Sequence, residues 1–417
     1  MAEEKSILVV GGGISGITTA VEAAEVGYKV ILLEKNPYLG GRVAKMNKYF
    51  PKLCPPSCGL EINFKRIKQN NNIKILTQAE IENISGQAGD YDVTVKLNPR
   101  LVNEKCTSCN KCVDVCPVER SNEFNYGMDK TRAIYLPHEM AFPLRYVIDS
   151  DVCEGAECGK CVEVCDYKAI DLDMKPETRN IKAGSIVYAT GWKPFDAASI
   201  ENFEYDKQPN VITNVMMERL AASNGPTNGK IVRPSDGKEI ESIAFVQCAG
   251  SRDENYLPYC STVCCLASLK QATYVREQYP DSRVYIFYID LRALGKYETF
   301  YQQVQKDENI IFHKGKIAKI AEYEPTDDLI VEGEDTISGN KIKEKVNMVV
   351  LATGMAPSIA DSKIPSDVTY DEFGFVVNDL QKAGIYATGV AKKPVNVASS
   401  IQDATGIALK AIQCVRR

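Results

Sequence analysis

The chain has 417 residues, of which 44% are hydrophobic and 25% are charged, and its formal net charge is −5. This composition is ordinary for a globular protein of about two to four domains, and the lack of a basic excess argues against a nucleic-acid partner. The acidic start MAEEKSILVV predicts no signal peptide, and the lack of any apolar run of about 18 residues predicts no membrane span. Fifteen cysteines in such a chain indicate metal or redox chemistry rather than a disulfide framework.

The predicted elements begin with a βαβ unit. It comprises strand Ser6–Val10, a glycine turn at Gly11–Gly16, helix Ile17–Val26 and strand Lys29–Leu33. Residues 36–63 are predicted to be loop, and residues 72–95 alternate like antiparallel strands. The later predicted elements are strand Ser185–Tyr188, a helix at 214–223, strand Ser242–Gln247, a helix at 262–278, strand Arg283–Ile289, strand Asn347–Leu351 and a helix at 399–415.

The glycine turn satisfies G-x-G-x-x-G between a strand and a helix, and Glu34 follows Gly16 by 18 residues. Such glycines permit a tight turn and a close approach of pyrophosphate to the helix N-terminus, where the acid accepts the ribose hydroxyls. This pattern predicts a dinucleotide site, although by itself it does not choose between FAD and NAD. The predicted contacts are Gly11, Gly13, Ile14, Ser15, Gly16 and Glu34.

Eight cysteines between positions 106 and 165 form two runs. The first is Cys106-x2-Cys109-x2-Cys112-x3-Cys116 followed by Pro117, which is the spacing of a bacterial ferredoxin segment. The second is Cys153-x4-Cys158-x2-Cys161-x3-Cys165. Two four-cysteine zinc sites are the alternative. In two-cluster ferredoxins the fourth cysteine of a run ligates the other cluster, so Cys165 is assigned to the first cluster and Cys116 to the second.

A second strand–loop–helix unit begins at Ile243. Its loop reads Cys248-Ala249-Gly250-Ser251 instead of G-x-G-x-x-G, which argues against NAD(P)H binding there. The same segment contains Cys248, Cys260, Cys264 and Cys265, which form a third [4Fe–4S] site or are ordinary buried thiols. Near the N-terminus, Cys54 and Cys58 have three open interpretations: a redox disulfide, cluster ligands or structural thiols.

The run Leu33-Glu34-Lys35 with Gly40-Gly41-Arg42, and three Ala-Thr-Gly turns at 189–191, 352–354 and 387–389, resemble the disulfide-oxidoreductase flavoproteins with two dinucleotide domains. The resemblance implies FAD, with Gly41 and Arg42 along its phosphates. It adds the contacts Lys35, Gly41, Arg42, Ala189, Thr190, Gly191, Gly354 and Gly389. One departure is Gly389-Val390, where that family has Gly-Asp, so the contact of the missing carboxylate must be made otherwise.

The flavin fingerprint, the inserted cysteine runs and the Cys-x3-Cys-Cys segment together resemble the A-subunit family of heterodisulfide reductases. Large members of that family add domains at both ends, and neither is expected in this chain. The short form is similar to the A-type component of the quinone-interacting membrane-bound oxidoreductase complex of sulfate reducers. That resemblance implies a cytoplasmic subunit docked to a related flavoprotein and a haem-bearing, quinone-reactive membrane subunit, with adenylylsulfate reductase as the soluble partner.

The predicted fold is α/β, a two-dinucleotide-domain flavoprotein with an inserted ferredoxin-like domain for two [4Fe–4S] clusters. The predicted domains are an FAD-binding part at 1–100, the insertion at 101–178, an FAD-binding continuation and linker at 179–240, a second dinucleotide-like domain at 241–345 and a final FAD-binding part at 346–417. The predicted function is electron transfer between FAD and clusters, with or without bifurcation. The alternatives are an NAD(P)H-dependent disulfide oxidoreductase using Cys54 and Cys58, and a scaffold with structural cofactors.

Overall fold

The structure, a computed structural model, describes residues 5–324, 326–360, 363–366, 368–378 and 384–416, so the acidic residues 1–4 lie outside the described part. Its contacts divide the chain into two units. The first comprises residues 1–192, 357–393 and 397–417, and the second comprises residues 193–356 and 394–396. The chain therefore leaves the first unit after Trp192 and returns to it at Pro357.

The strands are β1 (Ser6–Val10), β2 (Val30–Glu34), β3 (Ile73–Thr77), β4 (Ala79–Gln87), β5 (Asp90–Leu97), β6 (Glu119–Ser121), β7 (Lys130–Arg132), β8 (Ile134–Tyr135), β9 (Val147–Ile148), β10 (Glu177–Tyr188), β11 (Trp192–Pro194), β12 (Val211–Thr213), β13 (Ser242–Ala249), β14 (Arg283–Tyr288), β15 (Ile310–Lys314), β16 (Ile317–Tyr323), β17 (Asp328–Glu334), β18 (Lys341–Val346), β19 (Met348–Thr353), β20 (Met355–Pro357) and β21 (Ile385–Ala387). The α-helices are α1 (Ile14–Glu25), α2 (Ser57–Gln69), α3 (Lys111–Asp114), α4 (Lys160–Glu163), α5 (Asn214–Ala221), α6 (Cys264–Gln278), α7 (Tyr297–Val304) and α8 (Val397–Arg416).

The first unit is built on a seven-stranded sheet with the order β3-β2-β1-β10-β5-β4, in which β21 also pairs with β10. Strands β3, β2, β1, β10 and β21 run parallel, whereas β5 and β4 are antiparallel additions. Helices α1 and α8 cover the parallel part, with Ile17 of α1 and Ile407 of α8 in one apolar core. The carboxyl ends of β1, β2, β10 and β21 therefore meet at one edge, where ligands of parallel α/β sheets bind.

The insertion between β5 and β10 has little regular structure. It contains the two-stranded ribbons β6–β7 and β8–β9 and the short helices α3 and α4. A small core of Leu101, Val102, Ile134, Tyr146 and Ile148 holds it together, and cysteines of both runs pack against that core. The cysteines thus contribute to the packing of a segment whose apolar core is small.

The second unit contains a five-stranded parallel sheet with the order β12-β19-β13-β14-β15 and a three-stranded antiparallel sheet, β16-β17-β18. Strand β13 lies between β19 and β14, and its residues Ala244 and Phe245 are fully buried. Strand β12 pairs with β19, and residues 193–240 cluster with this unit, whereas the predicted domain at 179–240 is an FAD-binding continuation and linker.

The α/β fold class is confirmed, and β1 has the predicted bounds. The prediction of loop through residue 63 is wrong, because α2 begins at Ser57 and buries Leu60, Phe64 and Ile67 at helical spacing. Helix α1 begins three residues earlier than predicted, since Gly13 is its extended N-cap residue. The prolines and cysteines around residues 51–58 obscured the start of α2, and the glycine turn obscured the start of α1.

Candidate functional site

The glycine turn after β1 assigns a different role to each glycine. A Cβ on Gly11 would lie 2.3 Å from the carbonyl oxygen of Ala189, and one on Gly16 would lie 1.8 Å from the carbonyl oxygen of Gly11. A Cβ on Gly13 would meet nothing nearer than the Cα of Gly41 at 3.9 Å. The first and third glycines therefore permit close backbone packing, and the second leaves open space at the start of α1, which is the division of roles in a pyrophosphate loop.

The start of α1 is suited to an anion. The first N–H groups of a helix lack acceptors within the helix, and no side chain caps this one at Gly13. Ser15 is buried beside the turn that contains Gly389, because a Cβ on Gly389 would lie 2.2 Å from the Ser15 Oγ. Thr190 lies next to Gly11, and its Oγ1 is buried without a hydrogen-bond partner in the described part of the chain. A bound phosphate or ribityl group would give these groups partners.

Glu34 ends β2 at the same sheet edge and is buried. Its Oε2 accepts the N–H of Gly12 at 2.6 Å, and its Oε1 accepts the backbone and side-chain N–H groups of Asn36 at 2.8 and 2.7 Å. Burial raises the pKa of Glu34 above its usual range, although these hydrogen bonds act in the opposite direction. The Glu34 carboxyl group is thus held against the glycine turn. This position is consistent with its predicted role of accepting the ribose hydroxyls.

The Gly40-Gly41-Arg42 segment packs on the glycine turn. The N–H of Gly40 donates to the carbonyl of Gly12 at 2.8 Å. Arg42 donates from Nε to the carbonyl of Trp192 at 3.1 Å, and its guanidinium lies 5.2 Å from the Trp192 ring centre. Lys35 points away, since its exposed side chain pairs with Glu80 at 3.3 Å. The structure therefore brings Gly41 to the nucleotide loop and leaves the Lys35 side chain in solvent.

The turn after β21 contains a carboxylate that the sequence analysis did not identify. Asp403 of α8 accepts the Thr388 hydroxyl and the Gly389 N–H, both at 2.9 Å, and its other oxygen lies 2.5 Å from the Lys392 Nζ. Burial raises its pKa, but the hydrogen bonds from Lys392 and Gly389 outweigh burial and hold the pKa below its usual range. A charged carboxylate therefore lies at the last Ala-Thr-Gly turn, although Val390 replaces the expected aspartate.

The first predicted cluster set lines one cavity. Cys106, Cys109, Cys112 and Cys165 surround about 350 Å³ of empty space, part of it open to solvent. Burial, followed by the neighbouring thiols Cys106 and Cys109, raises the pKa of Cys112 to about 12. Cys165 comes from the second run, so the structure brings the fourth cysteine of that run to the cavity of the first, which is the arrangement of a two-cluster ferredoxin.

The second set lines another cavity of about 350 Å³, again partly open to solvent, with Cys116, Cys153, Cys158 and Cys161 in its wall. Burial, followed by Cys153 and Cys116, raises the pKa of Cys161 to about 11. In the described residues no group of three or more Cys, His, Asp or Glu side chains is arranged for a single ion. Four cysteines from two runs line each cavity, and this donor set fits a [4Fe–4S] cluster; zinc takes the same four sulfur ligands.

The third set lies at the carboxyl edge of the second unit's parallel sheet. Cys248 is near the end of β13, and Cys264 and Cys265 begin α6. The Cys264 Sγ lies 3.6 Å from the carbonyl oxygen of Thr353, and the Cys265 Sγ lies 3.5 Å from that of Asp290. Burial is the main reason why the pKa of Cys264 is raised, and the thiols of Cys248, Cys265 and Cys260 raise it further. The four cysteines therefore lie close together. They occupy the position of a pyrophosphate loop.

Two other predicted groups are located as follows. Gly354 belongs to the second unit, where a Cβ would lie 2.1 Å from the Ser251 Oγ. Cys54 pairs through its backbone with Tyr49, and Cys58 lies in the first turn of α2. Burial, then the thiols of Cys54 and Cys58, raise the pKa of Tyr49, so both thiols lie near this phenol. All fifteen cysteines are free thiols in this structure.

Comparisons with known proteins concern the family and the fold. Residues 6–51 match the family described as FAD dependent oxidoreductase, and residues 99–119 match the family described as 4Fe-4S binding domain. The chain is similar to thioredoxin reductases of Lactococcus lactis and T. acidophilum, each with a TM-score of 0.54, at 14% and 16% identity. The aligned region covers 99% of this chain in both cases, and 99% and 98% of those structures. This likeness concerns the fold alone.

Sequence relatives cover almost the whole chain. The A-type component of the H(2):CoB-CoM heterodisulfide,ferredoxin reductase of Methanothermobacter thermautotrophicus is 36% identical over 97% of this chain and 63% of the relative. One of the two A-type iron–sulfur components of the CoB–CoM heterodisulfide reductase of Methanopyrus kandleri is 39% identical over 98% of this chain and 64% of the relative. The chain therefore spans slightly less than two thirds of the length of these two relatives.

Proposed function

Because the chain belongs, over 97% of its length, to the A-subunit family of heterodisulfide reductases, which are oxidoreductases, we propose that it transfers electrons between FAD and iron–sulfur clusters. The observation that carries this proposal is that the two cysteine-lined cavities and the nucleotide loop belong to one unit of the fold. The 4Fe-4S match covers the first run, so at least one cluster is expected, and we propose two in the insertion.

The insertion is attached directly to the nucleotide-binding part. The N–H of Leu39, in the segment after Glu34, donates to the carbonyl of Phe142 at 2.9 Å, and Arg100 donates to the carbonyl of Pro37 at 2.7 Å. These bonds hold the insertion against the loop that supports the nucleotide. Bound FAD can hold one or two electrons and each cluster carries one, so together they convert between two-electron and one-electron carriers.

The residues of the chain have distinct roles in this proposal. Gly11 and Gly16 shape the loop, Gly13 admits the pyrophosphate, and Glu34 accepts the ribose hydroxyls. We propose a third cluster at Cys248, Cys260, Cys264 and Cys265. The positive end of α6, where Cys264 and Cys265 lie, would stabilise its negative charge.

The second unit does not support a nicotinamide site. Its sheet edge carries cysteines where a nicotinamide dinucleotide would need glycines for its pyrophosphate. We therefore propose that electrons reach the flavin from protein partners. The alternative, an NAD(P)H-dependent disulfide oxidoreductase, relies on Cys54 and Cys58 and on a nucleotide site that this edge does not provide.

The partners follow from the family. The relatives are named as single components of larger reductases, which implies further subunits, and the name of the Methanothermobacter thermautotrophicus relative includes ferredoxin and the CoB-CoM heterodisulfide. We propose that this chain docks to a related iron–sulfur flavoprotein and to a haem-bearing, quinone-reactive membrane subunit. Adenylylsulfate reductase is the proposed soluble partner, with electron bifurcation as one mode. The membrane subunit in this proposal would hold the chain at the cytoplasmic side of the inner membrane. In the part of the chain that the structure describes, no helix combines the length and apolar character of a membrane span.

The test is the cofactor content of anaerobically purified protein. We expect one FAD per chain and about eight iron atoms with matching sulfide for two clusters, or about twelve for three. EPR during a redox titration should show signals of reduced [4Fe–4S] clusters. Protein that binds FAD but contains no iron and no acid-labile sulfide would refute the proposal. Rapid bleaching of the flavin by NADH or NADPH, together with loss of disulfide reductase activity in Cys54→Ser, would favour the disulfide oxidoreductase.

A further inference from the structure

Two arginines lie beside the first cysteine set. Arg100 is 5% exposed, and its donors go to the backbone carbonyls of Tyr146, Pro37 and Arg145. Burial lowers the pKa of Arg100 to about 9, with a further contribution from the nearby Arg145 guanidinium, and this value leaves Arg100 charged at neutral pH. Arg100 is therefore a buried cation whose hydrogen bonds go to neutral groups.

Arg145 adds a second charge at the same place. Its Nε is buried and has no hydrogen-bond partner in the part of the chain that the structure describes. Burial lowers the pKa of Arg145 as well, opposed by the charges of Glu104 and Cys106. Arg145 precedes Tyr146, which lines the first cavity and whose carbonyl accepts from Arg100 at 2.8 Å. The Ser108 hydroxyl, between Cys106 and Cys109, donates to the Leu144 carbonyl at 3.0 Å, so this segment lies against the loop of the first set.

The second set has a different charge environment. The charged residues in its cavity wall are Glu154 and Lys160, which are exposed and opposite in sign. Arg120, four residues after Cys116, is largely covered and lies 2.7 Å from Asp149, which offsets its charge. At the first set, the wall residue Lys111 is exposed and pairs with Asp166 at 2.6 Å, and Glu104, the carboxylate that opposes Arg145, is exposed to solvent. The buried Arg100 and the partly buried Arg145 are thus less compensated than the guanidinium on the side of the second set.

We propose that Arg100 and Arg145 give the cluster held by Cys106, Cys109, Cys112 and Cys165 the higher reduction potential of the two, so that an electron shared by the pair resides there. Reduction adds one negative charge to a [4Fe–4S] cluster, and a buried cation stabilises the reduced form more than the oxidised form. The free Arg145 Nε can also donate to a cluster or cysteine sulfur, which shifts the potential in the same direction.

This inference rests on the proposed function, because it requires clusters in both cavities. The measurement is an EPR-monitored redox titration of the holoprotein, with iron and sulfide content determined first. A Cys109→Ser variant, which alters one ligand of the first set, identifies the signal of that cluster. In the wild-type protein that signal should appear at the higher potential.

The decisive variants remove charge without removing a ligand. In Arg145→Gln, the ratio of reduced to oxidised first cluster at a fixed potential should fall about tenfold, which is about 59 mV for one electron. Arg145→Lys should restore most of it. Arg100→Gln should lower the reduction potential of the first cluster in the same way, but it also removes three hydrogen bonds to backbone carbonyls. If Arg100→Gln does not fold, Arg145→Gln alone tests the proposal.

Lys105→Gln is the matched control. It removes the same charge beside Cys106, but Lys105 is exposed and its charge is screened by solvent, so the potential should change little. An equal shift in Lys105→Gln, an equal shift of both clusters in Arg145→Gln, or no shift at all would overturn the inference and leave the proposed function intact. Wild-type protein without two clusters in the insertion would overturn both.

Discussion

Replacing Gly13 by alanine should separate FAD binding from folding. Gly13 is the N-cap residue of α1 with φ −77° and ψ −176°, an extended conformation that alanine adopts readily. Its added Cβ would meet only the Cα of Gly41 at 3.9 Å. Alanine is a poorer N-cap than glycine but reduces the entropy of the unfolded chain, so the free energy of unfolding of the apoprotein should change by less than about 1 kcal/mol.

FAD affinity should fall sharply in the same variant. The methyl group fills the space through which pyrophosphate approaches the N–H groups at the start of α1. A hydrogen bond to a charged group contributes about 1.5–3 kcal/mol. Losing one such hydrogen bond raises the dissociation constant for FAD by about ten- to 150-fold.

The assay is a titration of apoprotein with FAD, followed by flavin fluorescence, together with a thermal melt without FAD. Gly27→Ala is the control, because Gly27 follows α1 at φ +97° with nothing within 4 Å of a Cβ. That variant should lose some stability through backbone strain and keep its FAD affinity. The reasoning is refuted if Gly13→Ala binds FAD as tightly as Gly27→Ala, or if its apoprotein unfolds as readily as Gly16→Ala.

Three further predictions concern the cysteine sets and the Asp403 turn. Cys165→Ser should alter the same EPR signal as Cys106→Ser, because both line one cavity; an effect on the other signal would contradict the crossed ligand assignment. Cys264→Ser should lower iron from about twelve to about eight atoms per chain, whereas Cys414→Ser, a buried thiol on α8, should leave it unchanged; unchanged iron in both would exclude the third cluster. Asp403→Asn should lower the free energy of unfolding by about 1 kcal/mol at neutral pH, measured by denaturant titration. The pKa of Asp403 is lower in the folded state than in the unfolded state. The stability difference between wild type and Asp403→Asn should therefore be fully present above the ordinary pKa of about 3.9 and shrink as the pH falls through the folded-state pKa. A stability difference that grows in acid would contradict this prediction.

Local patterns were sufficient where the chemistry depends on neighbours in the chain. The dinucleotide-binding turn between β1 and α1 could be predicted from the sequence because strand, turn and helix follow one another in the chain. The steric role of each glycine depends on this local geometry. The cysteine spacings also predicted that Cys165 lies with the first three cysteines of the other run, because in two-cluster ferredoxins the fourth cysteine ligates the other cluster. In the structure Cys165 lines the same cavity as those three cysteines. The missed helix α2 shows the limit, since prolines and cysteines before it obscured its periodic Leu60, Phe64 and Ile67.

Tertiary structure decided what depends on residues far apart in the chain. Asp403 reaches the turn at Gly389 only because α8 folds back against β21, and no motif marks that carboxylate. In the sequence nothing distinguishes Arg100 from other charged residues, yet the fold buries its side chain among backbone carbonyls near the first cysteine set. The sequence by itself determined the cofactor types and the candidate ligands, since these depend on residue type and spacing. Only the tertiary structure determined which charges surround those ligands, because burial and long-range contacts set the electrostatic environment.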